Sequence, residues 1–266
     1  NVPGLTPAFT AVNALTSVEA RDNALLTLAP SSNGNLKAAS DGGMTRGLGI
    51  VSNRLQSVRP GAFGRHKGYE AGDRYINRSV WVDAIGSVAE QDKRDGVYGY
   101  DATQYGLIGG IEGDAYSDYR GGMAFAVTHT GVNDKLYPHS QLDINTYQGF
   151  MYGSYEFCGA YYLDGVISLA YNDYTQERYI YVPASGGVSG IRSTSYADFG
   201  GWQFNSWFEL GYQAVLGRTI VEPHVLFRYA FINTDTITEH GAGALSYANL
   251  EYDNIYEVQL GLGGRL

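Results

Sequence analysis

The sequence predicts an all-β, antiparallel transmembrane β-barrel preceded by a helical N-terminal region. Three observations predict it. Apolar and polar residues alternate with a period of two along stretches of about 9–12 residues. That is the length of a tilted strand crossing a bilayer, where soluble strands run nearer 5–6. Aromatic residues close the ends of the apolar faces, as at Tyr161, Tyr171, Trp202, Tyr212, Phe231 and Tyr256, where amphipathic rings meet headgroups. The connections also alternate: short at Gly113 to Asp118, Cys158-Gly159 and Leu216-Gly217-Arg218, longer at 89–102, 131–143, 173–201 and 232–254. Outer-membrane barrels have that rhythm of short periplasmic turns and long extracellular loops.

Composition agrees. The 266 residues include 36 Gly and 23 Tyr but only 7 Pro, and 17% are charged, against about 25% in a soluble domain. No window of about 18 apolar residues provides a transmembrane helix. The net charge of −9 argues against nucleic acid, whose phosphates need a basic face. One cysteine, Cys158, excludes a disulfide scaffold and a Cys-rich zinc site. Asn1 opens neither a basic nor an apolar leader region, so the chain reads as mature, processed or excised from something longer.

In chain order, Thr16 to Glu19 is a capping box ahead of a helix from Ala20 to Leu28. Pro30 stops that helix, and Ser31 to Gly34 reads as a turn. A second helix is expected from about Thr45 to Val58. Met44, Leu48, Val51, Leu55 and Val58 form one face of it, and Arg46, Arg54 and Arg59 lie off that face. Gly42, Gly43, Gly47 and Gly49 weaken its start. Residues 61–78 are a polar, Gly-containing linker.

Eight strands follow. The first, Val80 to Val88, sets Val80, Val82, Ala84 and Val88 against a mixed face with Trp81, Asp83 and Ile85. In the second, Thr103 to Glu112, Tyr105, Leu107 and Ile111 oppose Gln104 and Glu112. In the third, Gly122 to Thr130, Met123, Phe125 and Val127 oppose Ala124, Ala126 and Thr128. The fourth, Ile144 to Phe157, is less clean, since Phe150 and Tyr152 share a face with Gln148 and Glu156. In the fifth, Tyr161, Leu163, Ile167, Leu169 and Tyr171 oppose Asp164, Ser168 and Asn172. In the sixth, Trp202, Phe204, Phe208, Leu210 and Tyr212 oppose Gln203, Asn205, Glu209 and Gln213. In the seventh, Val221, Pro223, Val225, Phe227, Tyr229 and Phe231 oppose Glu222, His224 and Arg228. In the eighth, Tyr256 to Leu262 oppose Glu257, Gln259 and Arg265. Alternation alone does not say which face is wet, so a soluble sandwich or lipocalin-like barrel stays as the alternative.

Catalytic signals are poor. His66, His129, His139, His224 and His240 stand in no HExxH or GxSxG context. His224 beside Glu222 is the one suggestive pair, and it reads better as a lumen side chain in a polar network. Ser185 to Gly190 lacks the Lys and following helix of a phosphate loop and reads as a flexible extracellular loop. No catalytic residue, metal ligand or cofactor is assigned, and no enzymatic activity is expected. Cys158 is read as a structural turn residue.

The chain resembles the translocator, or autotransporter β, domain of type V secretion proteins. The resemblance rests on Trp81 to Ser87, Gly106 to Glu112, Tyr161 to Gly165, Glu209 to Tyr212 and Val221 to His224. It continues in Asp235 with Thr238-Glu239 ahead of Gly241 to Leu245, and in the final Leu260 to Leu266. The stretch Leu15 to Arg59, with Asn53-Arg54-Leu55, resembles the segment ahead of the barrel. The resemblance implies a twelve-stranded barrel in the bacterial outer membrane with a helix threaded through its pore. It further implies export and anchoring of an N-terminal passenger, with membrane lipid and the barrel-assembly machinery as partners.

On that reading, residues 1–60 are the passenger-proximal pore segment, 61–78 a linker and 79–266 the first eight of twelve strands. Glu112, Glu209, Glu222, Arg228, Glu257 and Arg265 then face a lumen, where they can meet Arg46, Arg54 or Arg59 of the helix. Alternatively they pair across strands or with water. Eight closed strands leave room only for their own side chains, not for a helix about 10–12 Å across. The competing reading is a small eight-stranded outer-membrane barrel with an adhesin or structural role. Self-cleavage at an Asn occurs in part of the family, and no motif beside Asn1 supports it here.

Overall fold

The structure is a computed structural model that describes residues 5–30, 33–58, 78–93, 98–116, 118–136, 140–216 and 219–265. Three helices come first: α1 (Thr6–Asn13), α2 (Val18–Leu28) and α3 (Asn33–Val58). Nine strands follow: β1 (Arg78–Gln91), β2 (Tyr100–Tyr116), β3 (Tyr119–Asp134), β4 (Gln141–Phe157), β5 (Tyr161–Val182), β6 (Ile191–Tyr212), β7 (Ala214–Leu216), β8 (Thr219–Thr234) and β9 (Ile255–Arg265). They form one antiparallel meander in which β8 pairs with both β6 and β9, and three-residue β7 pairs only with the start of β8.

The sheet is not closed: β1 and β9 remain its edges among the described residues. An eight-stranded barrel closed on itself is therefore not the arrangement found.

The faces are inverted relative to a soluble sheet. Val82 is 76% exposed, Leu107 63% and Leu169 53%, whereas Gln148 and Ser168 on the opposite face are almost wholly buried. Helix α3 lies in the concave, polar side. Its Leu48, Val51 and Leu55 are buried against Trp81, Ile85, Ile108, Phe150, Val166 and Trp207. This explains the mixed faces of the first and fourth strands: Trp81, Ile85, Phe150 and Tyr152 point inward because they meet the helix.

Several expectations need correction. Helix α3 begins at Asn33, so Asn33-Gly34 opens it instead of forming a turn. Gly47 is there for space, since a Cβ at this position would lie 2.8 Å from the Phe150 ring. The N-cap of α2 is Ser17, whose hydroxyl accepts the Ala20 N–H at 3.4 Å, and α1 was not foreseen. The expected loop 173–201 is mostly strand, because β5 and β6 run on together to the pair Val182–Ile191. The flexible run at Ser185 is a tight turn, with Gly186 and Gly187 at positive φ and Ser185 bridging Val188. The turn at Cys158 has three residues, closed by the pair Phe157–Tyr161. Cys158 itself takes φ of 51°. Of the expected linker, only Arg78 falls within the described residues, where it starts β1.

Candidate functional site

Three polar centres lie on the inner side of the sheet. The first is built around Glu112 of β2, whose side chain is fully buried. Arg54 of α3 donates from Nε to Oε2 at 3.0 Å and from Nη2 to Oε1 at 2.8 Å, a two-point grip on the carboxylate. Ser79 of β1, Arg120 of β3 and Tyr152 of β4 also donate to it, at 2.8, 3.1 and 3.2 Å. Trp81 donates its indole N–H to the Tyr152 hydroxyl and lies with its ring 4.9 Å under the Arg54 guanidinium. Arg120 turns its other nitrogen to Asp114. Four strands thus converge on one carboxylate, and the helix supplies one of its two cations.

The second centre joins strands to one another. Arg265 of β9 grips Glu209 of β6 at 2.7 and 2.6 Å and lies 3.5 Å from Glu222 of β8. The Tyr162 hydroxyl donates to Glu209 at 2.9 Å, and Gln213 donates to Glu222 at 2.8 Å. Gly211 leaves room for the Tyr162 ring, which a Cβ there would meet at 2.2 Å. Arg228 reaches the helix by a different bond, donating to the Thr45 hydroxyl at 2.9 Å.

The expected residues therefore divide. Arg54 and Glu112 come together as helix and wall. Glu209, Glu222 and Arg265 come together within the wall. Arg46 is exposed, and Glu257 accepts from Gln259 on its own edge strand, so neither joins a helix–wall pair. Among the described residues β9 pairs only with β8, so no further strand lies beside Glu257. Arg59 lies outside the described residues. His224 turns its Nδ1 to the backbone carbonyl of Glu222, and among the described residues no contact of its ring with a carboxylate is seen.

The third centre was missed. At the far end of β5, Arg178 grips Glu239 of the β8–β9 loop through Nε and Nη2, and both side chains are nearly fully buried. Ser195 of β6 and the Tyr247 backbone N–H also donate to Glu239, at 3.1 and 3.0 Å. Burial alone would push the Glu239 carboxyl up, but the hydrogen bonds from Arg178, the Tyr247 backbone and Ser195 hold it below the ordinary carboxylate value. The loop folds back over the mouth. Its Ile237, Leu250 and Tyr252 pack on Tyr174, Phe199 and Ile144, which adds an apolar cluster to the inner face at this end. Both partners lay in stretches read as loops. The one signal was the recurrence of Thr238-Glu239 among the resemblance motifs.

Compared with known proteins, residues 80–266 match the family model described as the autotransporter beta-domain. A 91-residue stretch, 34% of the chain, is 29% identical to outer membrane protein B of Rickettsia prowazekii (strain Madrid E). The match spans 6% of that relative's length. In fold the chain is similar to the translocator domain of autotransporter NalP from Neisseria meningitidis, with a TM-score of 0.55 at 13% identity over 82% of this chain and 67% of that one.

Proposed function

This chain belongs to the autotransporter β-domain family, and on that premise we propose how it works as an outer-membrane translocator domain. It resides in the bacterial outer membrane, with its apolar sheet face toward lipid. In our reading, residues 1–60 are the last part of an exported N-terminal passenger segment, 61–78 link it to the barrel, and 79–266 are barrel strands. Helix α3 occupies the pore after export. Further strands of a twelve-stranded barrel join β1 to β9, and the barrel-assembly machinery inserts the sheet. The role asks for no catalytic residue and no cofactor.

The observation that carries this reading is the seating of α3 on the polar face of an inside-out sheet, held by Arg54 on Glu112. A soluble sandwich gives no reason for large apolar residues to point outward while glutamine, serine and asparagine are buried. The chain direction agrees with export. Arg54 lies near the C-terminal end of α3, and Glu112 lies at the end of the sheet that carries the short turns. The mouth with the long loops therefore receives the N-terminal end of the helix.

The test is surface display. An epitope fused ahead of Thr6 in the whole protein is expected to be cleaved from intact cells by added protease. The barrel should remain in the outer-membrane fraction. An epitope protected on intact cells and cleaved only after lysis would sink the reading.

A further inference from the structure

We propose that the outer rim of the barrel carries a binding site for a helix C-terminus, and that α2 occupies it as a catch for the exported chain. The proposal rests on the translocator reading, which places α2 outside. The last carbonyls of any helix lack intrahelical partners, and α2 carries no basic residue in its last turn to meet them. The rim supplies the donors instead. Arg178 of β5 donates from Nη1 to the Thr27 carbonyl at 3.0 Å, and the Tyr247 hydroxyl donates to the Leu28 carbonyl at 2.8 Å. A cation and a hydroxyl at this end of a helix also oppose the negative pole of its dipole.

The site has the marks of a built receptor. Arg178 is held by Glu239 on Nε and Nη2 and donates again to the Leu245 carbonyl, which leaves Nη1 aimed at Thr27. The Tyr247 ring lies 5.1 Å from the same guanidinium. The Thr27 side chain adds register, its hydroxyl accepting the Tyr181 N–H at 3.2 Å and lying 3.1 Å from the Tyr181 carbonyl. Leu15, Ala24 and Val182 form a small apolar core beside it. Such a donor set recognises carbonyls, not an anion, because the nearest charge on Arg178 is already neutralised by Glu239.

Placement gives the site its role. α3 is gripped by Glu112 near its C-terminal end, and α2 is gripped by Arg178 just ahead of α3. The two grips lie at opposite ends of the strands, so the helical segment is fastened on both sides of the pore. The outer grip can close only once the C-terminus of α2 is outside, which makes it a catch that holds the exported chain at the mouth of the pore.

Hydrogen–deuterium exchange on the whole protein in outer-membrane vesicles tests this. R178Q is expected to speed exchange of the α2 amides about tenfold and Y247F about threefold, with α3 near Val51 and strands β2 to β4 unchanged. Unchanged α2 exchange in both variants overturns the catch. If R178Q fails to assemble, Y247F decides alone, since it removes one hydroxyl. Val18→Cys, at an exposed position of α2 and in a Cys158→Ser background that removes the native exposed thiol, separates the two readings. Labelling by a membrane-impermeant maleimide on intact cells upholds the outside location. No labelling there, with labelling after lysis, overturns the translocator reading and the catch with it.

Discussion

Glu112 decides how firmly the helix is held, because its carboxylate meets groups from α3, β1, β3 and β4 at once. Glu112→Gln keeps an acceptor but removes the charge. A hydrogen bond to a charged group contributes about 1.5–3 kcal/mol, and Arg54 would keep at most one of its two, to the remaining amide oxygen. The expected result is a barrel that still assembles but conducts more ions in planar bilayers, as α3 leaves its seat more often. Unchanged conductance would mean that apolar packing alone holds the helix. Glu239 behaves as an acid-sensitive partner. Its folded value lies below the ordinary 4.5, so its contribution is complete above that value and is lost as pH falls through the lower folded value. Protection of the α2 amides, measured against their intrinsic exchange rates, should therefore fall below about pH 4.5, and the fall should be absent in Glu239→Gln. Arg54 and Glu112 were legible in the sequence because each breaks an apolar pattern at a polar-face position. Arg178 and Glu239 were not. Their partnership depends on β5 continuing beyond the membrane band and on a loop folding back across 61 residues.

At the scale of elements, α3 shows how packing overrides propensity. Gly weakens a helix by up to about 1 kcal/mol relative to Ala, yet Gly47 lets the backbone approach Phe150. Gly47→Leu should be worse than its helix propensity suggests, since the wall and not the helix refuses the side chain. Leu55, fully buried against the wall, should cost about 2–5 kcal/mol when cut to Ala. The measurement is the detergent concentration at which α3 amides lose protection, and an unshifted midpoint would place α3 elsewhere. Strand existence was legible throughout, from Val80 to Leu262, because period-two alternation is a local property. Strand length was not. β5 and β6 were cut short near Tyr171 and Trp202, since their outer halves change character where the neighbours change from lipid to the folded loop.

At the scale of the molecule, one face of the sheet is apolar and exposed while the other packs on the helix, and the translocator reading gives the first to lipid. An arginine on the lipid face near mid-strand should cost about 2–4 kcal/mol. Leu107→Arg is therefore expected to lower the yield of heat-resistant, assembled protein in outer membranes. Ser168→Arg, on the inner face, tests the opposite side. It too should fail if the pore is filled by α3, and should be tolerated if the lumen is open. The open edges at β1 and β9 set the remaining expectation: neither should be found free in a bilayer, and cysteine pairs placed along β1 should crosslink to whatever strand completes the barrel.

The sequence by itself determined the strand pattern, which follows from local periodicity, while the family came from the order of short motifs and alternation alone left open which face is wet. Only the tertiary structure decided which charges meet, that Trp81, Phe150 and Tyr152 turn inward to a helix, and that Arg178, Glu239 and α2 form a rim site. Those pairings join residues far apart in the chain. Their energy comes from burial that exists only once the sheet has curved around α3 and the β8–β9 loop has closed over its mouth.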